Sequence, residues 1–173
     1  MSGAEIHVCP LSKVEETVNR TGARRLLSLL AVGTEMPRLS AIAAEDHLHL
    51  AMHDIAEAQD GMTPPGAAHV LKLLDFARAW DRAQPLVVNC YAGISRSTAS
   101  AYIIAAALAP ERDEEELART LRRLSPSATP NPRLVAVADE ILQRQGRMVA
   151  AIRAIGRGAD AFEGVPFGLR LDG

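Results

Sequence analysis

Cysteine is nearly absent from this chain: Cys9 and Cys90 are the two thiols in 173 residues. Two thiols are too few for the disulfide framework of a small secreted fold, and a free thiol stays usable in a reducing compartment, so a cytoplasmic protein is expected. Long apolar runs are missing as well. No stretch approaches the ~18 consecutive apolar residues of a membrane-spanning helix. Met1 to Pro10 carries Glu5 and no basic cluster leading an apolar core, so no secretory leader is expected. Neither sign of charge dominates: 19 Lys and Arg stand against 21 Asp and Glu, a net of −2. That balance argues against a general nucleic-acid binder. Repeats and low-complexity segments are lacking too. What remains is a chain with 48% hydrophobic residues, long enough to bury a sizeable core as one domain over 1–173.

Strand-like and helix-like segments alternate along it. Glu5 to Cys9, Arg24 to Val32, Leu48 to His53 and Pro85 to Asn89 read as strands, the last a short apolar run with adjacent β-branched residues. Helices are expected over Ser12 to Arg20, with Ser12 and Glu15 in capping-box spacing and Gly22 just beyond, and from Pro64 or Pro65 through Trp80. Further helices are expected over Arg96 to Leu108, Asp113 to Leu124 and Asn131 to Gln145, with a flexible tail from about residue 156, where glycines become frequent. Such alternation predicts an α/β fold: a mostly parallel central sheet of about four to five strands, flanked by helices on both faces.

The most informative stretch is Asn89-Cys90-Tyr91-Ala92-Gly93-Ile94-Ser95-Arg96-Ser97. It joins a buried strand to a buried helix through a short loop containing glycine. Backbone N–H groups of such a loop, together with the unpaired N–H groups of the first helical turn, converge on an anion, and the helix dipole favours negative charge there. Tyr91, Ala92, Gly93, Ile94, Ser95 and Arg96 are therefore candidate phosphate-binding positions. The same field favours a thiolate, which is the nucleophilic form of cysteine, so Cys90 is placed to attack phosphorus. Arg96 offers a planar fork for two phosphoryl oxygens. Gly93 permits the positive φ that inward-pointing amides demand. Ser97 can donate its hydroxyl to the departing thiolate.

Cys90 and Arg96 in Cys-x5-Arg spacing, followed by Ser97 and with glycine three after the cysteine, resemble the signature of the cysteine-dependent protein tyrosine and dual-specificity phosphatases, in the manner of a small single-domain member of bacterial type. Resemblance covers Leu48 to Leu108 in detail. It implies a phosphomonoester hydrolase acting through a phosphocysteine, with no cofactor and no metal, on a phosphorylated protein or aryl phosphate. It also implies an aspartate as general acid, thirty to forty residues before the cysteine; Asp54 and Asp60 stand 36 and 30 positions ahead of Cys90. Asp54 is preferred, because it follows a strand whose C-terminal end is where α/β folds bind ligands, whereas Asp60 precedes Gly61 in a turn. One position departs from the family: histidine ordinarily precedes the cysteine, holding the loop and keeping the thiol acidic, and here Asn89 does. Asparagine still hydrogen-bonds backbone groups, so the loop geometry is expected to survive better than the reactivity.

Two other classes fit parts of the pattern. A non-catalytic module would use the same loop to bind phosphorylated partners. An arsenate reductase would need a second thiol, for which Cys9 is the sole internal candidate. His47, His49 and His53 share a strand face without requiring a metal. Arg122, Arg123, Arg144, Arg147, Arg153 and Arg157 read as helix-face arginines that pair with carboxylates. Ser125 to Pro132 reads as a rigid connection supplying the next helix cap. No lysine lies in the loop interior to meet extra phosphates, which favours phosphoproteins or aryl phosphates over inositol lipids.

Overall fold

Buried apolar strands in the middle of the chain set the architecture, seen in a computed structural model that describes residues 4–173. Five strands, β1 (Glu5–Pro10), β2 (Arg25–Leu30), β3 (His47–Ala51), β4 (Leu86–Cys90) and β5 (Phe167–Arg170), lie in the order β3-β2-β4-β1-β5. The first four are mutually parallel and β5 runs antiparallel to β1. β4 is buried at all five positions, as a central parallel strand covered on both faces must be.

Side chains alternate between two cores. Ile6, Val8, Leu27, Leu29, Val88 and Cys90 face the larger one, packed by α2 (Ala67–Arg78), α3 (Arg96–Leu108), α4 (Glu114–Leu124), α5 (Pro132–Ile141) and α6 (Arg147–Ile155). Cys9, Leu26 and Val87 face the smaller one, closed by Val14 and Val18 of α1 (Val14–Thr21). The expected mostly parallel, doubly covered sheet is therefore the observed one. α3 is the buried axis of the larger core: every residue from Arg96 to Ala106 is buried, and its alanines and serines let neighbouring elements approach closely. Tyr102, the largest of its fully buried side chains, donates its hydroxyl to the Glu114 carbonyl at 3.0 Å; burial, with the nearby Glu114 charge, holds that phenol neutral well beyond its ordinary range.

Several boundaries differ from expectation for local reasons. Ser12 does not cap α1; its hydroxyl donates to Glu163 Oε2 at 2.8 Å, and a short 3-10 turn, Leu11–Lys13, precedes the helix. α2 begins after Gly66 rather than at the prolines: Gly66 is the extended N-cap, and its N–H donates to His69 Nδ1 at 3.1 Å. The segment read as one helix to Gln145 breaks at Ile141. It turns through Gln143 and Gln145 at φ of 56° and 57°, and the Asp139 carboxylate caps a new helix, accepting from Gly146 N at 2.7 Å and Met148 N at 2.8 Å. The stretch from 156, expected as a tail, instead crosses the molecule and contributes β5 at the sheet edge.

The arginines are mostly structural. Arg122 donates to the carbonyls of Ala128 at 2.8 Å and Gly156 at 2.7 Å. Arg144 and Arg147 both reach Glu114 Oε2, at 2.8 and 3.3 Å. Burial alone would raise the Glu114 carboxyl, but those two guanidiniums hold it below the ordinary carboxylate range. Replacing Glu114 by Ala leaves Arg144 buried without its partner, and denaturant unfolding at neutral pH is expected to show a loss of about 3–5 kcal/mol. Because the folded carboxyl titrates lower than the unfolded one, its contribution is fully present above about pH 4.3 and fades as pH falls through the folded value. The gap between wild type and Glu114→Ala should close in that acid window; a gap that persists unchanged there contradicts the assignment.

Candidate active site

A strand buried throughout and a helix buried from Arg96 to Ala106 meet at Cys90 and Arg96, and the loop between them has few ways to run. β4 delivers Cys90 to its C-terminal end, and α3 starts six residues on. The loop folds back over the sulfur: Gly93 N donates to Cys90 Sγ at 3.3 Å, and Ser97 Oγ lies 3.1 Å from the same atom. Gly93 has φ of +70°, and a Cβ there would stand 2.7 Å from Pro10 N and 2.8 Å from the Cys9 carbonyl carbon. No other residue fits that position.

Arg96 is 7% exposed, and its guanidinium is braced from behind by the Met52 carbonyl, which accepts from Nη1 at 2.9 Å. Its Nε–H is buried without a protein partner. A buried donor left without a protein acceptor is one that a ligand oxygen would satisfy. Cys90, Arg96, Tyr91, Ala92, Ile94 and Ser95 line one pocket of about 430 Å³ together with Asp54, Ala161 and Phe162. The pocket opens at the C-terminal ends of β2, β3 and β4, where such sheets bind ligands.

Asp54 and Asp60, both open from the sequence, are separated by the structure. Asp54 lines the pocket, with Oδ1 accepting from Ser95 Oγ at 2.7 Å and from Asn131 Nδ2 at 2.8 Å. Both bonds fall on one oxygen, which leaves the other for a proton. Asp60 sits in the exposed turn before Gly61, outside that pocket lining.

Asn131 is the residue the sequence reading passed over. It was expected only as a helix cap, and it does cap α5, its Oδ1 accepting from Leu134 N at 3.0 Å. Its other end grips Asp54, and its backbone N–H bonds the Ser95 carbonyl at 3.1 Å. A Pro-Asn-Pro turn centred 35 positions after Arg96 was the available signal. The stretch from 156 was equally unforeseen at the site. Gly164 N donates to the Ala92 carbonyl at 2.8 Å, and a Cβ on Gly164 would meet the Gly93 oxygen at 2.6 Å. Glycine-to-backbone contact thus fastens this segment to the Cys90–Arg96 loop and brings Phe162, 92% exposed, to the pocket.

Cys9 lies on the opposite face of the sheet from Cys90, 1% exposed in the smaller core. Burial pushes its thiol up to about 12, so it stays protonated and unreactive at neutral pH. The histidines on and just after β3 turn to separate partners: His47 Nε2 is 2.9 Å from Ser28 Oγ, and His53 Nδ1 accepts from Thr63 N at 2.9 Å. Among the described residues no group of three or more His, Cys, Asp or Glu side chains is placed to hold a metal, and no helix is long and apolar enough to cross a membrane.

Fold and loop together define an α/β protein with a buried cysteine at the base of a strand–loop–helix pocket. The protein-tyrosine phosphatase family profile matches residues 37–127, just over half of the 173, and the chain belongs to that family. Solved structures agree on the fold. Human DUSP28 superposes with a TM-score of 0.61 at 19% identity, over 81% of this chain and 94% of its own. DUSP15 gives 0.64 at 16%, over 86% and 90%. The human tyrosine phosphatase-like serine/threonine/tyrosine-interacting protein gives 0.62 at 13%, over 81% and 92%. Human proteins of like extent share this architecture, so compactness does not single out a bacterial type. No curated protein sequence matches the chain.

A methyl group at Gly93 tests the loop geometry. Inorganic phosphate is expected to raise the melting temperature of the wild type, and Gly93→Ala is expected to cost about 2–4 kcal/mol, from the left-handed backbone and the clash with Pro10, and to abolish that rise. Retained stabilisation by phosphate in that variant contradicts the inward-facing loop.

Proposed function

We propose that this protein is a phosphomonoester hydrolase acting through a phosphocysteine. The observation that carries the reading is the buried, unpartnered Nε–H of Arg96 beside the sulfur of Cys90, in a pocket that also holds Asp54. In this reading Cys90 attacks phosphorus in line. The loop amides and Arg96 take the phosphoryl oxygens, and their hold strengthens as charge spreads over those oxygens in the transition state. Asp54 gives its free carboxyl proton to the leaving oxygen, then takes a proton from the water that hydrolyses the phosphocysteine. Ser97, already 3.1 Å from Sγ, donates to the thiolate as it departs.

Asn131 and Ser95 hold the carboxyl that must be aimed, which supports Asp54 over Asp60 as the general acid. Phe162 and Tyr91, 92% and 61% exposed, stand at the pocket and offer an apolar surface to the ring of an aryl phosphate or phosphotyrosine. Among the described residues no Lys side chain lines the pocket and Arg96 is its one cationic residue, which supports a monophosphate rather than a polyphosphorylated headgroup. A phosphorylated protein is therefore the proposed substrate, and the described chain is proposed to act as one unit in the cytoplasm.

Asn89 motivates the rival reading of a module that binds phosphorylated partners without turning them over. Aryl phosphate hydrolysis separates the two. Wild type is expected to turn over and Cys90→Ser to be inactive; Asp54→Asn should be slowed by about 10²–10⁴-fold with a poor leaving group and far less with a good one. Phosphopeptide binding without hydrolysis in the wild type favours the module, and turnover surviving Cys90→Ser would falsify the phosphocysteine route.

A further inference from the structure

Three polar side chains from three adjacent strands meet in the otherwise apolar middle of the sheet, on the face of the smaller core. Ser28 of β2 and Asn89 of β4 are paired in register and both fully buried. Ser28 Oγ donates to Asn89 Oδ1 at 2.6 Å, and His47 Nε2 of edge strand β3 is 2.9 Å from the same hydroxyl. Asn89 Nδ2 points to the Cys90 carbonyl at a long 3.4 Å.

Proton bookkeeping makes the chain directional. A serine hydroxyl has one hydrogen, and Asn89 Oδ1 takes it, so Ser28 Oγ must accept from His47 Nε2–H. Reversing the Asn89 amide would set its oxygen against the Cys90 carbonyl, two acceptors facing each other at 3.4 Å. Donation therefore runs from His47 to Ser28 to Asn89, and from the far end of Asn89 to Cys90. Desolvation lowers the His47 pKa, with His49 and Arg38 adding to the effect, so the neutral ring carries its hydrogen on Nε2.

Burying two polar groups in a sheet core is costly unless each is satisfied, and an apolar pair would fill the same volume without that demand. What this chain gains is a fixed orientation for the residue next to the nucleophile. The Cys90–Tyr91 peptide is planar and trans, so an anchor on the Cys90 carbonyl also sets the direction of the Tyr91 N–H, the first amide of the loop.

We propose that His47, acting through Ser28 and Asn89, is a positioning residue for the phosphate loop: it touches neither substrate nor sulfur, yet turnover depends on its Nε2–H donor. This rests on the phosphatase reading for its kinetic readout. Aryl phosphate kinetics of Ser28→Ala, His47→Phe, His47→Gln and the double variant Ser28→Ala/His47→Phe are the test. Ser28→Ala and His47→Phe are expected to lower kcat by about ten- to a hundredfold with KM little changed. His47→Gln, whose amide keeps an N–H donor, should stay near wild type, and the double variant should be no slower than Ser28→Ala. Wild-type kcat in His47→Phe, an equal loss in His47→Gln, or losses that multiply in the double variant overturn the proposal.

A second readout does not require hydrolysis. Iodoacetamide alkylation of Cys90 should slow in Ser28→Ala and His47→Phe but not in His47→Gln, and equal rates in all of them overturn the relay. If the wild type hydrolyses nothing, the phosphatase reading fails while this readout still decides the relay. Cys9, buried and protonated, is the internal control: its modification alongside Cys90 would mark general opening of the fold and assign His47 a structural role instead.

Discussion

Everything at the site depends on the joint between β4 and α3. Both elements are buried along the lengths that meet there, so neither can slide or tilt to relieve the other without opening the core. Only Tyr91 to Ser95 span the gap, and that short reach forces the backbone to curl with a glycine at φ of +70°. The curl turns the Gly93 N–H toward the sulfur of Cys90. The site's geometry is thus a by-product of packing: the hydrophobic burial that stabilises α3 also fixes its N-terminal turn, where helix amides lack intrahelical partners, next to Cys90.

Around this joint the chain adds braces from distant segments. Met52, at the end of β3, fixes Arg96 through its carbonyl, and two residues later Asp54 enters the pocket. Asn131 ties Asp54 to the start of α5, and Thr129 N bonds the Ile94 carbonyl at 2.9 Å. Gly164 closes the other side against Ala92 and Gly93. Each brace comes from a turn or strand end rather than from the middle of an element. Such positions leave polar groups unpaired by regular structure, and those groups are free to serve the site.

What could be read in the sequence followed from local physics. The span of α3 is as expected, from Arg96 to Leu108, because a run of Ala and Ile without glycine, closed by proline, has few alternatives. The Cys90–Arg96 loop was legible because its residues are compressed into nine consecutive positions. Asn131 escaped because its second role depends on a contact across 77 positions, which no local pattern encodes. β5 escaped because Phe167 to Arg170 is four residues long and owes its strand form to pairing with β1. Helix α6 could have been found: Met148, Val149, Ala151 and Ile152 recur at helical spacing between Gly146 and Gly156. Asn89 was visible as a departure from the family, but its partners on two other strands were not.

The central claim is that Cys90 carries the phosphoryl group. Rapid-quench mass spectrometry of the wild-type protein mixed with an aryl phosphate tests it most directly, alongside the time course of aryl alcohol release. A phosphate adduct on Cys90 that rises with the first turnover and decays with the second step, with Cys9 unmodified, is the expected result. Hydrolysis proceeding with no adduct on Cys90 at any time, or with phosphate on another residue, would contradict the account.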